Sequence, residues 1–232
     1  MSDLTKRQNK IMAAIMKEYI KRAKPVSSKR LTQKYNLGFS PATIRNEMKE
    51  LEKMKYLKQP HTSAGRVPTE KAYRSYIKSI QEKEIEIPVK TKEREPEKAF
   101  KEITDKLAEL SGGFAFGGIK EMDSFYQSGF SNLLREAFSE DEEIYKEITK
   151  IMEEFEKNFN SLFQQVEEDE TRIFIGREDP FKKTKNLSII ISSCKMPKQK
   201  HGLLGIMGPM RMRYDYNLSL LNKLKKIIEE YE

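Results

Sequence analysis

The sequence predicts an α+β protein in two parts: an N-terminal winged helix-turn-helix domain, then a domain of mixed helices and strands. Three observations carry this expectation. Between Ser40 and Leu57 a capped, basic, amphipathic helix runs straight into a short polar hairpin. Charge is segregated: residues 1–80 hold 19 Lys/Arg against 6 Asp/Glu, a net +13, whereas residues 81–232 hold 25 against 30, a net −5. Beyond residue 98, helical apolar stripes give way to strand-like runs. The expected boundaries are 1–80 for a DNA-binding domain, 81–98 for a linker and 99–232 for a second, dimerising domain, with a helical segment at about 140–167. A basic domain joined to an acidic remainder is the electrostatic footprint of a nucleic-acid reader attached to something else.

The first element opens on a capping box, with Thr5 at N-cap and Gln8 at N3. Ile11, Met12, Ile15, Met16, Tyr19 and Ile20 then form one broad apolar face. Pro25 closes the connection, and Ser27 or Ser28 can cap a short second helix through Leu31 to Tyr35. Asn36-Leu37-Gly38-Phe39 supplies a turn, with Gly38 free to take positive φ. Ser40 can cap the third helix, and Pro41 fits its first position, where a missing N–H costs nothing.

Along that third helix Ile44, Met48 and Leu51 recur at i, i+4, i+7 and face a core. Ala42, Asn46, Lys49 and Lys53 fall on the opposite face, with Thr43 and Arg45 on its flanks. Asn can bond adenine bidentately, Arg can bond guanine, and Ala or Thr methyls can touch thymine. A solvated basic face is the alternative; the hairpin that follows and the charge segregation argue against it. Lys58 to Val67 reads as a wing offering Arg66, His61 and backbone N–H groups to phosphates or the minor groove. Arg66 is set against a structural role in the hairpin, and His61 against a hydrogen bond inside the wing. Lys6, Arg7, Lys29 and Arg30 are expected phosphate contacts, which position without reading sequence.

Thr69 caps a fourth helix with Tyr73, Tyr76, Ile77 and Ile80 at helical spacing. Residues 81–98, dense in Glu and Lys and carrying Pro88 and Pro96, read as the linker. Phe100, Ile103, Leu107 and Leu110 make another stripe, ended by Gly112-Gly113. Residues 140–167 read as a long acidic amphipathic helix, its Glu140–Glu143 cluster marking the N-terminus. Strands are expected at Thr171–Ile175, Leu187–Ser192 and Leu203–Met207, and a last helix from about Asn217 to Tyr231. The Gly205–Tyr214 run lacks the Gly-Lys-Ser/Thr ending of a P-loop and reads as a strand-to-helix turn.

Composition narrows the function. A single cysteine, Cys194, excludes an internal disulfide and is expected to be a buried small hydrophobe. Two histidines, His61 and His201, leave little from which to build a zinc site, and no nucleophile–base–orienter set emerges. No enzyme, metal or cofactor is expected. Lys17 and Glu18 break the only N-terminal apolar stretch, and no apolar run approaches the roughly 20 residues that span a bilayer. A cytoplasmic protein without membrane partners is expected.

Several motifs resemble one family. Leu4-Thr5-Lys6-Arg7-Gln8, Pro25-Val26-Ser27-Ser28-Lys29, the run Ser40 to Met48 and above all Gln59-Pro60-His61-Thr62-Ser63-Ala64-Gly65-Arg66-Val67-Pro68-Thr69 resemble HrcA, the heat-inducible repressors of bacterial chaperone operons. Gly129-Phe130-Ser131-Asn132-Leu133-Leu134, Ile175 to Pro180 and Gly205 to Tyr214 resemble later family segments. The resemblance implies a winged helix, a linker helix and a GAF-like α/β domain with an inserted helical segment. It implies a dimeric repressor on an inverted-repeat operator, the CIRCE element, with activity dependent on the GroE chaperonin. Against the family's pattern the second half is shortened: Leu110 to Phe116 runs almost at once into the Ser-Asn-Leu-Leu segment, and the strands between are expected to be missing.

The expected DNA-binding set is thus Lys29, Ser40, Ala42, Thr43, Arg45, Asn46, Lys49, His61, Ser63 and Arg66. The third helix would enter the major groove of double-stranded DNA, the wing would grip flanking backbone, and the second domain would pair two copies. Pairing would run through Phe100–Leu110, Ile144–Val166 or the last helix. The rival readings are a winged-helix regulator answering a small ligand, unlinked to chaperone genes, and a scaffold whose winged helix binds protein.

Overall fold

The computed structural model of the 232-residue chain describes residues 4–61, 64–80, 84–87, 95–138, 142–178, 180, 185–196 and 200–230. It divides into two compact units, Met1–Ile80 and Gln81–Glu232.

The first unit runs α1 (Lys6–Arg22), α2 (Ser28–Lys34), α3 (Pro41–Lys53), β1 (Leu57–Lys58), β2 (Val67–Pro68) and α4 (Glu70–Ile77). The capping box closes: Thr5 Oγ1 accepts from the Gln8 N–H at 3.2 Å, and Gln8 Oε1 accepts from the Thr5 N–H at 3.0 Å. Ser27, not the buried Ser28, caps α2 through the Arg30 N–H. Gly38 turns the chain at φ 75°. Ile11, Ile15 and Met16 of α1 meet Leu31 of α2 and Ile44, Met48 and Leu51 of α3 in a core of fully buried side chains, closed from the far side by Ala72 and Tyr73 of α4. β1 and β2 pair antiparallel, Leu57 with Pro68 and Lys58 with Val67. Gly65, expected as part of the wing's tip region, has another task. Arg66 and Val26 exchange backbone hydrogen bonds of 2.8 Å, so the hairpin is bridged to the α1–α2 connection, and a Cβ on Gly65 would stand 2.5 Å from the Val26 carbonyl.

The second unit is built on a five-stranded, wholly antiparallel sheet in the order β4-β3-β7-β6-β5. Its elements are α5 (Pro96–Ser111), β3 (Phe114–Ile119), β4 (Ser124–Ser128), α6 (Phe130–Phe138), α7 (Glu142–Asn158), β5 (Thr171–Ile175), β6 (Leu187–Met196), β7 (Lys200–Pro209) and α8 (Tyr214–Glu229). Adjacent residues of β3 show the layering. Phe116 packs edge-on against Phe155 of α7 at 4.8 Å, whereas Gly117 faces Phe100 of α5. So α7, with Leu133 of α6, covers one face, and α5 and α8 cover the other. Helices and a sheet coexist without parallel βαβ units, an α+β fold of GAF-like type.

Several elements depart from expectation. Strands β3 and β4 lie in the stretch expected to lack them. Both faces of β3 are covered, so all six of its residues are buried and it shows no alternation. α5 begins at Pro96, within the stretch read as linker, because Pro is suited to the first helical turn. The long helix at 140–167 stops at Asn158 and tightens to a 3-10 turn over Phe159–Gln164. There Ser161 Oγ donates to the Asn158 carbonyl at 2.6 Å and Asn160 reaches Asp123 at 3.1 Å, local bonds that compete with the helix. β6 and β7 form a longer hairpin than the apolar runs suggest, and α8 starts at Tyr214, whose hydroxyl donates to the Met210 carbonyl and lies 2.7 Å from Ser188 Oγ.

Candidate nucleic-acid interface

The candidate surface is the outer face of α3. Ala42, Arg45, Asn46 and Lys49 lie at i, i+3, i+4, i+7, all exposed, opposite the buried Ile44, Met48 and Leu51. Among the described residues, the side chains of Arg45, Asn46 and Lys49 have no hydrogen-bond or ion-pair partner. Their neighbours are engaged. Ser40 Oγ accepts from the Thr43 N–H at 3.1 Å and lies 2.9 Å from Thr43 Oγ1, so both hydroxyls serve the N-cap. Lys53 pairs with Glu50 at 2.7 Å and Glu47 with Arg7 at 3.2 Å. What remains free is a stripe of two cations, one amide and one methyl.

Three devices hold that stripe in place. The Arg7–Glu47 pair ties α1 to α3. Arg7 and Lys10 stand over the Phe39 ring at 5.5 and 5.6 Å, and Lys10 donates to the Leu37 carbonyl at 3.0 Å, which pins the turn before α3. The third acts through α2, which packs against α3: Glu18, a 1%-exposed acid on α1, ties α1 to α2. It accepts from Arg30 Nε at 2.8 Å, Lys34 Nζ at 2.7 Å, the Tyr35 hydroxyl at 3.0 Å and Arg22 at 3.4 Å. Burial alone would raise its pKa, but the bonds from Lys34, Arg30 and Tyr35 outweigh burial and hold it at about 2. Burial and the adjacent carboxylate push the Tyr35 hydroxyl up to about 12.

The expected contacts therefore divide. Ala42, Arg45, Asn46 and Lys49 share the open stripe, with Ser40 and Thr43 at its base. Lys29 is exposed on α2. His61 is exposed in the wing, its carbonyl accepting from the Ala64 N–H at 2.9 Å, and Ser63 lies outside the described residues. Arg66 is drawn inward. Its side chain is 14% exposed, and its guanidinium meets Glu52 at 2.8–2.9 Å, the structural role weighed against DNA contact. Arg7 and Arg30, expected on phosphates, face Glu47 and Glu18 instead. Sequence reasoning passed over Glu18; the signal was that it is the sole acid between Asp3 and Glu47. It also passed over Lys58, exposed on the first wing strand.

In the second unit, Cys194 is buried and its thiol is pushed up to about 12 by burial, an inert packing residue. His201 lies against Glu121, Nδ1 to Oε1 at 2.6 Å. Among the described residues no group of three or more His, Cys, Asp or Glu could hold a metal ion, and no helix is long and apolar enough to cross a membrane.

Comparison with known proteins adds four findings. A crystal structure of a hypothetical protein, solved at 2.2 Å resolution, shares the fold with a TM-score of 0.81 at 24% identity, covering 98% of this chain and 97% of that one. The heat-inducible transcription repressor HrcA of Thermoanaerobacter sp. (strain X514) is 48% identical over 110 residues, 46% of this chain and 32% of the relative. That of Symbiobacterium thermophilum is 56% identical over 71 residues, 31% and 21% of the two chains. The match thus spans about a third of the length of these relatives or less. The model of the HrcA protein C-terminal domain matches residues 39–216, most of the chain. On that match the chain belongs to the HrcA family.

Proposed function

We propose that this protein is a cytoplasmic, heat-inducible transcription repressor that binds the inverted-repeat CIRCE operator of chaperone operons as a dimer. The observation that carries the reading is the open stripe of α3, where Arg45, Asn46 and Lys49 project from a rigidly held helix with no partner among the described residues. Two features support it: the net +13 of residues 1–80, and relatives that bear the name of heat-inducible repressors. In this reading α3 enters the major groove; Asn46 and Arg45 read base edges, with Ala42 and Thr43 against methyl groups. Lys29, Lys49 and the wing residues His61 and Ser63 hold the backbone, and the Ser40 end of α3 lies against a phosphate. Arg66 acts through Glu52, fixing the wing rather than touching DNA.

Residues 1–80 are then the DNA-binding part, and the sheet unit beyond the linker pairs two copies through α5, α7 or α8. Heat lowers the population of the folded dimer, and a shift of about 1–2 kcal/mol is enough to change occupancy several-fold. Coupling to the GroE chaperonin follows from the family resemblance alone. Nuclease footprinting on the operator tests the reading. Protection of both arms of the inverted repeat is expected, together with a dimeric mass by light scattering. A single protected arm or a strictly monomeric protein, with and without DNA, would rule out the dimeric mode.

A further inference from the structure

Glu18 is nearly inaccessible, but the cations it holds are not. The side chains of Arg22, Arg30 and Lys34 keep 41%, 40% and 34% of their surface. Each spends one donor on a buried carboxylate and shows the rest of its charge to solvent. Arg30 and Lys34 stand one turn apart on α2, so Glu18 gathers them onto a single face, toward α1. The same helix carries Lys29, exposed and with no partner among the described residues. In a helix-turn-helix, the helix before the recognition helix crosses the DNA backbone. Of the three cations on α2 that could reach phosphates, two are therefore held back by one internal acid.

We propose that Glu18 is a positioning residue for DNA discrimination: by drawing Arg30 and Lys34 onto the α1–α2 junction it keeps them off the DNA backbone. Affinity is then decided by the base-reading face of α3 instead of by phosphate attraction common to all sequences. The inference rests on the DNA-binding reading above. Its physical basis is that phosphate contacts strengthen every complex, whereas only base contacts distinguish one. Two released cations favour scrambled DNA more than operator. On scrambled DNA the protein can settle wherever the cations reach, whereas on the operator α3 fixes where α2 lies.

The test is the salt dependence of binding by the full chain to operator and scrambled duplexes, with folding of each variant checked by circular dichroism melting. Wild-type protein comes first; if it binds neither duplex in a salt-dependent way, the repressor reading fails and this inference falls with it. If it binds, Glu18→Gln is expected to tighten scrambled-duplex binding and to steepen its log K against log salt slope by about one to two, since each phosphate contact contributes ~0.9. The operator-to-scrambled ratio should fall roughly tenfold. Adding Lys34→Gln should take back about half of that steepening, since it removes one of the two released cations. Glu70→Gln, which removes the same negative charge from α4 where Glu70 pairs with Arg74, should leave the slope unchanged. A merely structural Glu18 would lower stability and leave the slopes parallel; parallel slopes, or equal steepening by Glu70→Gln, overturn the proposal. Should Glu18→Gln fail to fold, Lys34→Gln alone decides, because a cation already held off the DNA leaves the slope unmoved and a shallower slope contradicts the inference.

Discussion

Asn46 stands in the middle of the exposed stripe of α3, four residues after Ala42 and three before Lys49, with nothing from the described protein on its amide. An amide so placed can make the bidentate contact to adenine that a truncated side chain cannot. Asn46→Ala is therefore expected to cost about 1–3 kcal/mol of discrimination at one base pair of each half-site, with little change in thermal stability. Titrations against operators substituted base by base would read this; an equal loss on every duplex would make Asn46 a backbone contact. Gly65 is constrained by space. A Cβ there meets only backbone atoms, the Val26 carbonyl at 2.5 Å and Pro25 at 2.9 Å, and no rotamer can relieve that. Gly65→Ala should lower the melting temperature and loosen the wing, visible as faster amide exchange at Val26 and Arg66.

Glu18 adds a pH dependence whose sign follows from its depressed pKa. The folded value of about 2 lies below the ordinary 4.5, so the group stabilises the fold fully above pH 4.5, and that contribution is lost as pH falls toward 2. The groups facing it are Arg22, Arg30, Lys34 and Tyr35. A shift of this size corresponds to up to about 3 kcal/mol, reduced by solvent screening of the half-exposed cations. Urea unfolding between pH 2 and 6 should show a steeper acid-side fall for wild type than for Glu18→Gln; superimposable profiles would contradict it.

At the scale of elements, α3 is the most legible part of the sequence because each of its signals is local. Ser40 caps it, Pro41 opens it, and the Ile44, Met48, Leu51 stripe is buried as its spacing requires. Ser40→Ala should cost about 1 kcal/mol, a fall of roughly 4–8 °C in the melting of a unit this size. Strands β3 and β4 are illegible for the opposite reason. Phe114 pairs with Met207, so β3 is defined by a partner far along the chain, and its Phe-Ala-Phe-Gly-Gly-Ile run carries helix-neutral and small residues without alternation. β4 is a short edge strand of mixed polar and aromatic residues that hardly differs from a turn. Within the candidate interface the exposed stripe can be read from periodicity, but the fate of its neighbouring cations cannot. Arg7, Arg30 and Arg66 find acids 40, 12 and 14 residues away, pairings that only the tertiary fold creates.

At the scale of the whole molecule, the uneven charge is the feature that composition alone conceals. A net +8 divides into +13 before residue 81 and −5 after it. The basic part carries the α3 stripe; the acidic part carries a sheet covered on both faces by α5, α7 and α8. Such a division suits a protein in which one unit meets a polyanion and the other does not compete for it.

The most direct test of this account is fluorescence anisotropy of the full chain on a duplex carrying the inverted repeat and on a scrambled duplex, each at two salt concentrations. The account predicts operator binding at least ~10³-fold tighter than scrambled, with both falling steeply as salt rises. Equal, weak binding to the two duplexes would contradict it, and would leave α3 as a basic helix that holds DNA without reading it.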